Sequence, residues 1–333
     1  MITHFILLSS ILVTASIITP AQSAVQDTSG AKNDTTKSLH SLFDDEWEYQ
    51  MEQHPVMASL LGDRRWNNIW EDVSRGAIER RHNHGVGTLQ RLNQINRNEL
   101  SPADQLNFDL FKQQYEISIE GYKYHWYLVP VNQREGIQTS SELAESLRFE
   151  TRKDYEDWIA RLNSLPRFID QTIALMSEGM KSHVLLPKVI MQRITKQIEN
   201  QIVTDPTASP YFKPFKSFTP QVSKAEQTQL SASAKEAITK NVVPAFRKFK
   251  EFFVGEYLPV CFDQIGIWQI PNGDQMYAFF ARQYTTTNMT PKEIHEIGLS
   301  EVRRIHAEME KILQQVGFSG TLQDFFKYLR TDG

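Results

Sequence analysis

From residue 39 onward, apolar positions recur at steps of three and four, the spacing of one face of a helix. Residues 39–57 carry Leu39, Leu42, Phe43, Trp47, then Tyr49 or Gln50, and His54. Residues 74–96 carry Ile78, His82, Val86, Leu89, Leu92 and Ile95. Ser101 and Pro102 open a third helix running towards Tyr122, and residues 143–149 resume the pattern. Tyr155, Trp158, Ile159 and Leu162 form one stripe, and Phe168, Ile169, Ile173, Leu175 or Met176, and Met180 form another. With Pro166 between them, these predict two antiparallel helices, because proline removes a helical donor and its ring crowds the carbonyl four residues back. Helices follow over 187–202, 224–240 and 242–257, and residues 204–223, with four prolines among four aromatics, predict a long irregular segment.

The clearest start lies at Thr290-Pro291-Lys292-Glu293, where Thr290 can cap, Pro291 suits the first position and Glu293 can close a capping box. Ile294, Gly298, Val302, Ile305, Met309, Ile312 and Val316 then predict one long amphipathic helix with a continuous buried stripe. The expected fold is all-α: an elongated multi-helix domain of about ten helices, with at most one short hairpin near residues 259–284.

Residues 1–24 read as an export signal, an apolar run from Phe5 to Ile18 followed by Pro20 and the small-residue site Ala21-Gln22-Ser23-Ala24; an uncleaved N-terminal anchor is the other reading. Residues 25–38 are polar and predict a disordered linker, and residues 39–333 the helical domain. This places the protein in the periplasm or outside the cell, with no stable membrane span once the signal is removed. A net charge of −4 and a pI near 6.2 provide no basic face for phosphates, which argues against nucleic acid as a partner.

Candidate chemistry is sparse. His295-Glu296 has the first two residues of the zinc-peptidase pattern HExxH, but position 299 is Leu299 and the next histidine is His306. Eleven residues of helix separate the two imidazoles by about 16 Å, which no zinc with bonds of about 2 Å can bridge. His82 and His84 read as surface histidines, and Glu46 and Glu48 as a solvated face. Cys261, the single cysteine, reads as a buried thiol beside Val260 and Phe262. Tyr122, Tyr124, Trp126 and Tyr127 read as packing aromatics, with stacking on a peptide or sugar as the alternative. No catalytic, cofactor-binding or metal-binding residue is assigned. Phosphate loops, the GxSxG elbow and CxxC are all missing from the chain.

Pro271-Asn272-Gly273-Asp274, Tyr277, Arg282, Tyr284-Thr285-Thr286-Thr287, Thr290 to His295, Gly298-Leu299 and Val302 to Met309 resemble the shared block of a bacterial family of zinc-metallopeptidase-like proteins, domain of unknown function 885. Phe325 to Asp332 resembles the block that follows, and Glu46 to Tyr49, His54-Pro55 and Leu61-Gly62-Asp63 resemble the family's opening. The resemblance implies the N-terminal, substrate-channel part of an exported zinc-dependent peptidase acting on peptides. The family's metal-binding segment, an HE-containing stretch ending in Pro-Gly-His-His, lies C-terminal to these blocks, so the resemblance implies zinc only in a longer form. A non-catalytic helical binding or scaffold protein is the other function expected.

Overall fold

The computed structural model describes residues 29–331, so the signal expected over 1–24 lies outside the described residues. The described chain is all-α and divides into two compact units, one ending at Pro271 and the other beginning at Asn272.

In the first unit, α1 (Ser29–Gln53) begins earlier than the sequence pattern indicates, so residues 29–38 of the expected linker are helical. The Ser38 hydroxyl donates to the Asp34 carbonyl and Thr35 Oγ1 donates to Glu99 at 2.6 Å, polar contacts that hydrophobic periodicity does not register. A break at His54 starts α2 (Pro55–Leu60), which ends at Gly62 in a positive-φ conformation. Ser74 caps α3 (Arg75–Asn93) and Ser101 caps α4 (Pro102–Gly121), each accepting from a backbone N–H in the first turn. Leu39 and Leu42 of α1, Leu92 of α3, and Leu100 and Phe108 near α4 bury together as a small core.

The main core surrounds α5 (Arg152–Lys181), a single helix where two were expected. Pro166 sits inside it. One lost hydrogen bond and a ring clash cost about 3 kcal/mol, yet Trp158, Leu162, Leu165, Ile169, Leu175 and Met176 are all buried along the same helix. At about 1.5 to 3 kcal/mol for each buried side chain, continuity outweighs the proline. Thr151 and Asp154 close a capping box at its start.

Beyond α6 (Lys188–Glu199), the proline-rich segment forms two 3-10 turns (Pro206–Ala208 and Pro210–Lys216) that bury Tyr211, Phe212 and Phe215 against the core. Trp158 Nε1 donates to the Tyr211 carbonyl at 3.0 Å, fixing this irregular stretch to α5. A long helical rod, α7, then runs through Lys224–Ala237, a π turn at Ile238–Val242, Val243–Phe252, a second π turn at Phe253–Tyr257, and Leu258–Val260. Each π turn precedes a proline, Pro244 or Pro259, and contains the residue four positions before it. Widening the turn there relieves the clash a proline ring would otherwise make. Cys261 is buried as expected, donating to the Tyr257 carbonyl at 3.4 Å, and burial pushes its thiol up to about 12.

The hairpin allowed for near 259–284 does not form. That region holds a 3-10 turn (Ile267–Gln269) and a helix, with one isolated bridge between Pro187 and Phe262. Its aromatics fit helical spacing as readily as alternation.

The second unit contains α8 (Gly273–Thr285), α9 (Pro291–Gln315) and α10 (Leu322–Thr331). The expected capping box opens α9: Glu293 N donates to Thr290 Oγ1 at 3.2 Å, and Thr290 N donates to Glu293 Oε2 at 2.7 Å. Its end is a Schellman turn at Gly317, φ +67°, with Phe318 N donating to the Leu313 carbonyl. The stripe expected to be buried is instead largely in solvent: Val302 is 62% exposed and Ile312 52%, and Ile305, Met309 and Val316 are exposed as well. Periodicity places these side chains on one face, and that face is largely exposed.

Candidate functional site: the seam between α1 and α3

Glu46, Tyr49 and Gln53 of α1 face Ala77, Arg80, Arg81, His84 and Thr88 of α3, because both sets recur at three or four residues. At the inner end, Glu46 is only 2% exposed. Its carboxylate accepts from Thr88 Oγ1 at 2.7 Å and from the Tyr115 hydroxyl at 2.5 Å, and lies 2.7 Å from His84 Nε2. A buried carboxylate requires such partners, since an unmatched charge in the interior costs several kcal/mol. Burial and then the hydrogen bond to Glu46 hold the Tyr115 hydroxyl well above its ordinary pKa. Tyr49 stacks on His84 with centroids 3.5 Å apart.

Midway along the seam, Arg81 donates to the Asp72 carbonyl, and burial lowers its pKa against the opposing charge of Glu71. His54 Nδ1 lies 3.4 Å from Glu71. Asp72 accepts from Arg167 at 2.9 Å, Gln171 at 3.0 Å and Ser74 N at 3.0 Å; burial pushes its pKa up, but the hydrogen bonds from Ser74 and the charges of Arg167 and Arg80 together prevail and lower it. The seam opens into a cleft of about 320 Å³ walled by Trp66, Ile69 and Trp70, with Glu52 and Arg80 on its lining. Behind the wall, Arg161 is fully buried, donating to the carbonyls of Ile69 and Trp66 and to Ser59 Oγ while stacking over Trp70.

In this arrangement Glu46 fixes the ring of His84, and the cleft presents aromatic walls with charges of both signs. Among the described residues, the close side-chain partners of that histidine are Glu46 and Tyr49, neither a serine nor a cysteine. Cys261 is buried beside Tyr257, and His295 and His306 stand exposed on α9, His306 beside Glu310. The described residues contain no group of three or more histidine, cysteine, aspartate and glutamate side chains that could hold a metal, and every close partner of Glu46 is a hydroxyl or the single histidine. The resemblance implies zinc only in a longer form, and the described residues offer no ligand set for it.

Two expectations at the seam need correction. Glu46 is not on a solvated face, and His84 is not a plain surface histidine. The signal for Glu46 was present: it falls on the stripe of Leu39, Leu42, Tyr49 or Gln50, and His54, so a carboxylate there must be buried with partners. His82, by contrast, stacks on Tyr122 at 3.8 Å, and Tyr122 stacks on Tyr127, with Arg75 over both rings, so these two aromatics pack as expected.

The fold and seam define an all-α protein with a cleft beside the α1–α3 seam. Residues 55–333 match the family described as "Bacterial protein of unknown function (DUF885)", and the chain belongs to that family. A solved structure titled "The crystal structure of the putative lipoprotein from Colwellia psychrerythraea" is similar in fold, with a TM-score of 0.78 and 17% identity over 89% of this chain. The chain spans about half of that protein, 54% of its length. No curated protein matches. Among the described residues no helix is long and apolar enough to cross a membrane.

Proposed function

We propose that this chain is the N-terminal, substrate-binding part of an exported peptidase of the zinc-dependent type, with its metal-binding segment carried outside these 333 residues. The observation that carries the reading is the apolar face of α9, left uncovered over Val302, Ile305, Met309, Ile312 and Val316. An uncovered face of that kind marks an interface on a soluble protein. Membership of the family and the half-length match to the solved structure support a larger whole. Export is supported by the signal-like residues 1–24, and the related solved protein is titled a lipoprotein. What these residues contribute is binding: the cleft and seam hold and orient a substrate, and no chemical step is assigned to them.

The test uses two lengths of the protein. Metal analysis of the 333-residue chain finds no stoichiometric zinc, whereas a form extended by the codons that follow Gly333 in the gene binds zinc and cleaves peptides. The extension also abolishes binding of an apolar dye. A 333-residue chain that is monodisperse and binds no dye, with an extended form that takes up no zinc, overturns the reading. A second reading, a non-catalytic helical binding protein, is favoured by the seam itself, where a buried carboxylate orients a histidine with no nucleophile beside it; that outcome is the one it predicts.

A further inference from the structure

We propose that the cleft at the end of the α1–α3 seam binds a small zwitterion with an apolar side chain, a free amino acid or the terminus-bearing body of a short peptide. Glu52 takes the ammonium and Arg80 the carboxylate.

Some of the charges that line the cleft are already matched. Asp72 lines the cleft but is saturated by Arg167, Gln171 and Ser74 N. Arg81, one residue from Arg80, turns inward to the Asp72 carbonyl. Glu52 and Arg80 remain. Both are exposed and both line the same cleft; Arg80 is felt by Asp72 only through its charge, and neither Glu52 nor Arg80 makes a side-chain hydrogen bond among the described residues. They do not pair with each other, although opposite charges lining a single cavity would gain by doing so. A ligand carrying both signs satisfies the two together, and the planar carboxylate suits the fork of a guanidinium.

The same cleft is walled by Trp66, Ile69 and Trp70, with Ile69 presented to solvent and Trp70 held flat by stacking on Phe168 at 5.4 Å. A rigid aromatic wall with a few convergent polar groups is the usual make-up of a small-molecule site, and about 320 Å³ lies at the small end of the range for such pockets. Trp70 is further locked by donating Nε1–H to the Arg161 carbonyl at 2.8 Å, so the wall is preformed and little ordering is lost on binding. The proposal deepens the substrate class of the reading above but rests on the cleft alone.

Tryptophan fluorescence and titration calorimetry on the full chain test it with phenylalanine, leucyl-phenylalanine, N-acetyl-leucyl-phenylalanine and leucyl-phenylalanine amide. Expected is saturable binding of a zwitterion below about 1 mM, at least tenfold weaker for the acetylated and amidated forms. E52Q weakens ligands with a free amine at least tenfold and leaves the acetylated one unchanged, and R80Q does the same for the free carboxylate against the amide. Both side chains are exposed, so circular dichroism of the two variants matches the parent. Equal binding of phenylalanine and the dipeptide assigns a free amino acid, and binding of the dipeptide alone assigns a peptide. No saturation, equal affinity for blocked and free ligands, or indifference to both substitutions overturns the proposal. Zinc uptake by the extended form is independent of each of these results, so the two readings fail separately.

Discussion

Two long helices, α5 and α9, present equally regular apolar stripes, and they end in opposite environments. On α5 the stripe from Trp158 to Met176 is buried, and even Arg161 on the same helix has no exposure. On α9 only Leu313 is buried, and Val302, Ile305, Met309, Ile312 and Val316 of the stripe are exposed. Periodicity of 3.6 residues fixes which side chains share a face, but what covers the face depends on chain that is far away in sequence. For α5 that cover is α7 and the proline-rich segment, whereas α9 keeps most of its stripe exposed.

The sharpest way to break this contrast is to remove a buried group from α5. Arg161→Ala strips donors from two carbonyls and a hydroxyl and leaves a hole against Trp70. Loss of about 3 to 5 kcal/mol is expected, since those acceptors are left buried and unmatched. Chemical denaturation measures it, and a change under 1 kcal/mol would show that the wall behind the cleft is not part of the main core.

Next in size is Pro166→Ala. Alanine restores the N–H that can donate to the Leu162 carbonyl and removes the ring clash, while the unfolded chain gains freedom worth about 0.4 to 1 kcal/mol. The net expectation is a gain of about 2 kcal/mol, read as a higher midpoint in urea. A loss would mean that a bend at Pro166 is what lets Leu165 and Ile169 reach their partners.

The contrast also explains how much of the molecule could be read in advance. Helices at 74–96, 101–122 and 187–202 and the cap at Thr290 were legible because capping and periodicity are local. Pro166 was misread because its penalty is local while the compensating burial of Leu162, Leu165 and Ile169 is not. Glu46 was legible in principle, lying on its own stripe. The cleft was not: Glu52, Trp66, Arg80 and Arg167 come from four elements, and no spacing in sequence announces that they line one space.

A smaller effect is set by Cys261. Its pKa is raised from an ordinary 9.0 to about 12 by burial. The unfolded thiol ionises first as pH rises, so stability is intact below about pH 9 and declines from there towards pH 12. Cys261→Ala therefore flattens the pH dependence of stability above 9, and alkylation of the native thiol at pH 8 proceeds only as fast as the chain opens. Rapid alkylation of the folded protein would place the thiol at the surface.

The smallest expected effect falls on α9. Val302→Ala removes two methyl groups from a side chain that is 62% exposed, so little apolar area returns to water and no cavity forms. Alanine is also the better helix former, by a few tenths of a kcal/mol. In the 333-residue chain the change in stability is expected within about 0.5 kcal/mol of zero. In a form extended beyond Gly333, the same substitution lies under a cover if the proposed interface exists, and deletion of buried methyl groups then costs about 0.5 to 1.5 kcal/mol or more. Equal, near-zero effects in both forms would mean that the face of α9 stays open in the longer protein, and the difference between the two helices would then be intrinsic to the fold.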